Sequence, residues 1–360
     1  MRNIKCKMKN AKNRDKPVNI YTCCFLLLAL SVLPVAGCKK LLSSKWLAPQ
    51  RTSSRSSDNA SISVGELVPV AVRILDEGLA DESPPVRANA IEVVAAARQV
   101  RLMPKVQKLL KDDFVPVRFA AALAVGDMEY GLAASPVKQL LEDEDQNVRM
   151  AAAYASAKLS SSQDTGLISR AIAGSDQNVR ANAALLLGKS GNKSSLKFLY
   201  WALQNEDSDN KVRFQAAEAI AMLGDDRIYP KLWSLLISAY ADDRVVGVRS
   251  MGALGTTEAK NALITMLDDD ILEVRLTAAE QLGTHGDTSG KPVVLDVFEK
   301  NQTAGFDKES QERINVLTAI AIGEVGAASL TKFLPRLLEN ESEFVRIAAA
   351  KAVLRRTMGK

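Results

Sequence analysis

The sequence predicts an all-α fold, an α-solenoid of about nine helix pairs stacked side by side. Three observations predict it. An arginine slot recurs at Arg87, Arg118, Arg149, Arg180, Arg213, Arg244, Arg275, Asn315 and Arg346, at intervals of 31, 31, 31, 33, 31, 31, 40 and 31 residues. Three places after each slot stands a column of mostly small residues: Ala90, Ala121, Ala152, Ala183, Ala216, Gly247, Ala278, Thr318 and Ala349. The composition is 47% hydrophobic but only 5% aromatic, which suits closely packed helices better than sheets.

Each unit divides into two helices. The arginine helix carries small residues three and four places after the slot, on one face, so a neighbouring helix can approach closely. A glycine eleven places after the slot (Gly191, Gly224, Gly255, Gly286, Gly326) supplies a left-handed stop. Before the helix lies an acidic turn such as DESPP, DDFVP or DDDIL, suited to a helix N-terminus. Before that turn lies a second amphipathic helix, as at 102–110 or 263–267. One place before the slot stands a valine or isoleucine (Val86, Val117, Val148, Val179, Val212, Val274, Ile314, Val345); repeat six breaks that column with Asp243, and repeat eight breaks the arginine column with Asn315. The glycine spacing keeps both in frame.

Six places before the slot stand Asp81, Asp112, Asp143, Asp207 and Asp269. An acidic residue and an arginine recurring at one period predict a structural ladder of paired side chains between adjacent repeats. The planar guanidinium fork favours it. An anion-binding arginine stripe would leave the aspartates unexplained. Single repeats cannot bury their faces, so stability is a nearest-neighbour sum and the ends require polar caps. Lys351, Arg355 and Arg356 on the last helix fit a C-terminal cap.

The chain divides into three parts: residues 1–37, residues 38–63 and the repeats at 64–360. Residues 1–17 carry a net charge of +6, residues 39–63 carry +4 and the whole chain +5, which leaves −5 for 64–360. That acidic body argues against nucleic-acid binding. All four cysteines (Cys6, Cys23, Cys24, Cys38) precede the body, and His285 is the single histidine. No disulfide framework, thiolate metal site or histidine-rich catalytic centre is therefore expected, and neither metal nor cofactor. His285 replaces an aliphatic residue near a helix end and is read as structural. No nucleotide-binding, nucleophile-elbow or zinc-protease motif occurs.

The N-terminus has a basic stretch to Lys16, then an uncharged run with its apolar heart at 24–35. Val35-Ala36-Gly37-Cys38 follows. This resembles the signal peptide and lipobox of bacterial lipoproteins. The resemblance implies cleavage before Cys38, lipidation of its thiol and attachment to a membrane of the bacterial cell envelope, outside the cytoplasm. An uncleaved anchor spanning the same run is the alternative, weakened by Thr22, Ser31 and Pro34. The serine-rich, basic stretch 39–63 reads as a flexible tether.

The repeat pattern over about 66–357 resembles HEAT repeats, in the short form of proteins related to phycobilin lyases. The resemblance implies a right-handed, armadillo-like solenoid whose arginine helices line a groove. It implies no single function, because the fold hosts many. Metal hydroxylases built on HEAT repeats carry several His-Glu pairs, which this chain lacks. Fold and tether together point to a non-enzymatic scaffold that binds a protein partner along the solenoid. A bilin-lyase-like enzyme or subunit and a purely architectural spacer are the other readings. Candidate partner contacts are Trp201, Trp233 and Tyr240, in an aromatic concentration within repeats five and six, and Phe306, in a nine-residue insertion around 300–311. The competing readings are gap-filling for the aromatics and a neutral extension for the insertion.

Overall fold

The computed structural model describes residues 63–162 and 164–358. The leader, Cys38 and the tether lie outside these described residues. Within them the chain is helical throughout, without a strand. The first four pairs are α1 (Val64–Gly78) with α2 (Pro84–Ala96), α3 (Met103–Leu109) with α4 (Val115–Asp127), α5 (Ala134–Gln139) with α6 (Gln146–Leu159), and α7 (Gly166–Ala171) with α8 (Gln177–Ser190). The next three are α9 (Leu196–Gln204) with α10 (Asn210–Met222), α11 (Tyr229–Leu236) with α12 (Ala241–Leu254), and α13 (Thr257–Thr265) with α14 (Leu272–Thr284). The last two are α15 (Lys291–Glu299) with α16 (Lys308–Val325), and α17 (Leu334–Leu338) with α18 (Glu343–Thr357). Every arginine slot falls on an even-numbered helix. The architecture is an α-solenoid.

Local chemistry sets the helix ends. Pro84, Pro85 and Pro116 open α2 and α4, where the missing N–H costs nothing. Asp145 and Asp176 cap α6 and α8, accepting from the amides of Asn147 at 2.8 Å and Asn178 at 2.7 Å. The glycine column closes the later helices in the left-handed region, Gly191 at φ +74° and Gly255 at +65°. The first three repeats lack that glycine; Arg98 and Glu129 take the conformation at the same place, at φ +47° and +49°, and Ser161 takes it one residue later, at +53°.

The even-numbered helices form the inner layer, each packed on the next. Their small residues bring backbones together. A Cβ on Gly283 would stand 2.5 Å from the Glu324 carbonyl carbon, and one on Gly323 would stand 2.8 Å from Ala352 Cα.

The two ends of the stack meet. α1 lies along α18, and α18 also touches α2. At the seam, Gly78 faces Ala90 and Ile347, and a Cβ there would sit 3.0 and 3.3 Å from them. Ile347 is buried. The solenoid is thus a closed ring, and the expectation of polar-capped ends is corrected. The last helix is covered by the first, Lys351 lines the ring axis, and Arg355 pairs with Glu324 of the preceding repeat at 3.0 Å.

Repeat eight differs from the expected loop extension. Part of the insertion forms a turn at 301–306. Residues 308–311 instead lengthen α16 to 18 residues, because Asp307 caps its start by accepting from the Ser310 amide at 2.7 Å.

Candidate functional site

The arginine and aspartate columns meet at one edge of the ring. Arg87, Arg118 and Arg244 each reach 25 residues onward to the aspartate of the next turn. Arg87 donates to Asp112 at 2.9 and 2.9 Å, Arg118 to Asp143 at 2.9 and 3.1 Å, and Arg244 to Asp269 at 2.8 and 2.9 Å. The remaining guanidinium nitrogen donates backward to carbonyls of the arginine's own turn, as from Arg118 to Asp112 at 2.9 Å. Each aspartate also accepts from the amide two places on, so it fixes the turn as it receives the arginine. The Asp81 carboxylate accepts from the Ser83 amide, and no arginine of the ladder reaches it among the described residues, while its carbonyl accepts from Arg87.

Other repeats depart from this pattern for visible reasons. Position 174, where repeat four would place its aspartate, is a glycine, and Arg149 bonds the carbonyls of Asp143 and Glu144. The two-residue insertion in repeat five displaces the Asp207 carboxylate. Arg180 therefore takes the Asp207 carbonyl at 3.2 Å and the Ser208 hydroxyl at 2.6 Å. Arg213, Arg275 and Arg346 bond carbonyls of their own turns. Burial opposes ionisation of Asp269, yet the Arg244 fork and the Ile271 amide hold its carboxyl below the usual range.

The aromatic concentration divides in two. Tyr200, Phe214 and Tyr229 pack against the core. Trp201 on α9, Trp233 on α11 and Tyr240 at the start of α12 are exposed, at 43%, 41% and 68%, with Ile237 beside them at 69%. Arg180 lies over the Trp201 ring at 5.3 Å, and Tyr229 stacks on Trp233 at 6.3 Å. The rings are thereby braced while their outer faces stay open. Phe306 is also exposed, in a separate turn before α16. His285 Nε2 lies 2.8 Å from the Gly252 carbonyl and helps close the end of α12.

A second group of residues is absent from the sequence-based candidates. Five places after the slot come Glu92, Leu123, Tyr154, Leu185, Glu218, Arg249, Glu280, Ile320 and Lys351. Ring closure turns this column toward the axis. Glu92, Arg249, Glu280 and Lys351, on four different helices, line one cavity of about 100 Å³. Glu92 also lines a larger one of about 640 Å³, with Arg98, Asp127, Glu129, Tyr154 and Lys189. Burial raises the carboxyl groups of both Glu92 and Glu280, against the opposing pull of Lys351 and Arg249. Glu92 is exposed to the solvent of the ring axis. In the larger cavity Asp127 is already engaged, accepting from Tyr154 at 2.7 Å and paired with Lys189 at 3.0 Å. The legible signal was a change of character in one column, from aliphatic or tyrosine to charged. It acquires meaning only once the ring is closed.

Among the described residues, no group of three or more His, Cys, Asp or Glu side chains is placed to hold a metal ion, and no helix is long and apolar enough to cross a membrane.

Comparison with curated proteins finds no match. Several solved structures align over most of the chain at low identity. Human deoxyhypusine hydroxylase in complex with glycerol is 14% identical, covering 82% of this chain and 99% of that one, with a TM-score of 0.36. The complex of CpcE and CpcF of phycocyanin lyase from Nostoc sp. PCC7120 gives 16%, 85%, 100% and 0.31. Kap121p gives 12%, 78%, 37% and 0.33. At sequence level, the family model for HEAT repeats matches two stretches of the ring, residues 72–157 and 164–246.

Proposed function

We propose that this protein is a protein-interaction scaffold of the bacterial cell envelope. A lipid on Cys38 anchors it, and the outer surface of repeats five and six binds a protein partner. The observation that carries the reading is the run of Trp201, Trp233, Ile237 and Tyr240, exposed on consecutive units and braced from beneath. Large aromatic side chains of this kind anchor protein interfaces. Closure of the ring moves the binding surface from an inner groove to the outside, since the inner helices enclose a narrow axis. The match of Val35–Cys38 to the lipoprotein pattern supports the anchor.

The test uses the full chain with a photo-crosslinking residue in place of Tyr240, beside Cys38→Ala. The expected result is one crosslinked protein, lost in Trp201→Ala/Trp233→Ala, and an acylated mass lost in Cys38→Ala. Crosslinks unaffected by the tryptophan changes would overturn the binding surface. An unmodified mass in both chains would overturn the anchor.

A further inference from the structure

The two edges of the ring differ in charge. The turns that join the two helices of each pair lie on the ladder edge. They hold eighteen acidic residues against two basic ones, Lys111 and Lys300. The eight slot arginines donate into these turns and offset half of that surplus. The turns that join one pair to the next form the opposite edge, the rim. They hold five basic residues (Arg98, Arg101, Lys193, Arg227, Lys332) against five acidic ones. An anionic surface therefore repels the ladder edge and tolerates the rim.

One sector of the rim is also apolar. The turn after repeat one runs Arg98-Gln99-Val100-Arg101, with Arg98, Val100 and Arg101 exposed. The turn after repeat two ends in Gly131-Leu132-Ala133. Val100 is 58% exposed and Leu132 78%. A Cβ on Gly131 would meet nothing within 4 Å, so this turn projects into open space. Among the described residues, no other turn of the rim exposes a large apolar side chain. Adjacent helix pairs stack about 10 Å apart, which sets the two aliphatic tips side by side. Apolar tips with basic neighbours suit a lipid interface: the tips enter below the headgroups and the cations meet the phosphates.

The chain enters the ring at this same rim. α1 runs from Val64 to Gly78, and its far end feeds the ladder turn that holds Asp81. A helix of 15 residues separates its ends by about 22 Å. Ser63 therefore lies on the rim, in the repeat that the Val100 turn closes. Residues 39–63, with a net charge of +4, join that point to Cys38.

We propose that the ring stands on an anionic bilayer through this rim, with Val100 and Leu132 in the interface and Arg98 and Arg101 against lipid phosphates. The inference rests on the lipid anchor proposed above. It leaves the ladder edge, with Ile237 and Tyr240, pointing away from the bilayer.

The test places a photo-crosslinking residue at Leu132 and, in a second chain, at Phe306 on the ladder edge. Each full chain is expressed with its leader in a bacterial host and reconstituted into vesicles of equal parts phosphatidylglycerol and phosphatidylcholine. Flotation reports the anchor, and the mass added on illumination reports the edge. Both chains are expected to float, with phospholipid added at Leu132 and little at Phe306. The Leu132 adduct is expected to fall roughly ten-fold or more in Arg98→Glu/Arg101→Glu, which removes two cations from the surface. Flotation without a lipid adduct at Leu132, or with equal adducts at both positions, would overturn the orientation and leave the anchor standing. That comparison requires no charge variant to fold. Chains that fail to float would overturn the anchor and the orientation with it.

Discussion

Arg244 of the sixth repeat reaches into the seventh and holds the Asp269 carboxylate with two hydrogen bonds, 2.8 and 2.9 Å long. The same aspartate receives Arg275 of its own repeat on its carbonyl, at 2.7 Å. One turn is thus fixed by arginines from two units. Arg149, by contrast, bonds only carbonyls of its own turn.

The two arginines are therefore unequal. Arg244→Ala leaves a nearly buried carboxylate without its cation and is expected to cost about 3 kcal/mol. Arg149→Ala removes carbonyl bonds alone and is expected to cost about 1 kcal/mol. Urea denaturation of both variants checks the ranking. The pH dependence has a defined sign. Asp269 has a depressed folded pKa, so its contribution is fully present above the unfolded value of about 4. It is lost as pH falls through the folded one. In Arg244→Ala, acid sensitivity in that window is expected to shrink.

Backbone strain at the rim gives a second expectation. Glu129 sits at φ +49°, at the repeat position where Gly224 sits at +69°. Glu129→Gly is expected to stabilise the ring by about 1 kcal/mol and Gly224→Ala to destabilise it by a similar amount. Opposite shifts of the melting temperature are the readout. Equal shifts would mean that side-chain contacts, not backbone conformation, govern these positions.

The helices and their stacking were legible because each repeat writes the same local physics: a cap, a run of small residues, a stop. The pairing of Arg244 with Asp269 was legible for the same reason, as two columns at one period. The failure of Arg180 to reach a carboxylate was half-written in the two-residue insertion before Arg213. Ring closure was not legible. It depends on the difference in spacing between inner and outer layers, accumulated over nine repeats. The meeting of Glu92 with Lys351 follows from closure alone, since they lie at opposite ends of the chain. Trp201 stood out by residue type, but its exposure depends on Arg180 bracing one face only.

The seam between α1 and α18 carries a third expectation. Ile347 is buried there, facing Gly78. Ile347→Ala is expected to cost about 2–4 kcal/mol through the cavity it leaves. Ile347→Asp places a charge in the seam and is expected to part the two ends. Small-angle scattering would then report a larger radius of gyration with helix content retained. A circular dichroism spectrum that collapses in step with the radius would show instead that closure and helix stacking are one cooperative unit.

The axis supplies the opposite pH behaviour from the ladder. Burial raises the carboxyl groups of Glu92 and Glu280, and Lys351 and Arg249 only partly offset it. A carboxyl with a raised folded pKa binds its proton more tightly in the ring than in the unfolded chain. Its ionisation therefore weakens the fold as pH rises between the unfolded and folded values, and the full loss persists above the folded one. Glu280→Gln removes that loss without changing shape. It is expected to raise the melting temperature at pH 8, to give a smaller gain at pH 5, and to match the wild type near pH 3, where the carboxyl is protonated in both states. Arg249 and Lys351 lose a partner in the variant, which works against the gain at high pH. Glu280→Gln in a Lys351→Met background therefore separates the two effects: the single glutamine removes both desolvation of the carboxylate and its attraction to the cations, and the same change without Lys351 leaves desolvation with the smaller attraction to Arg249. A melting temperature that falls at pH 8 in Glu280→Gln would mean that attraction across the cavity outweighs desolvation, and would make the axial charges a stabilising network.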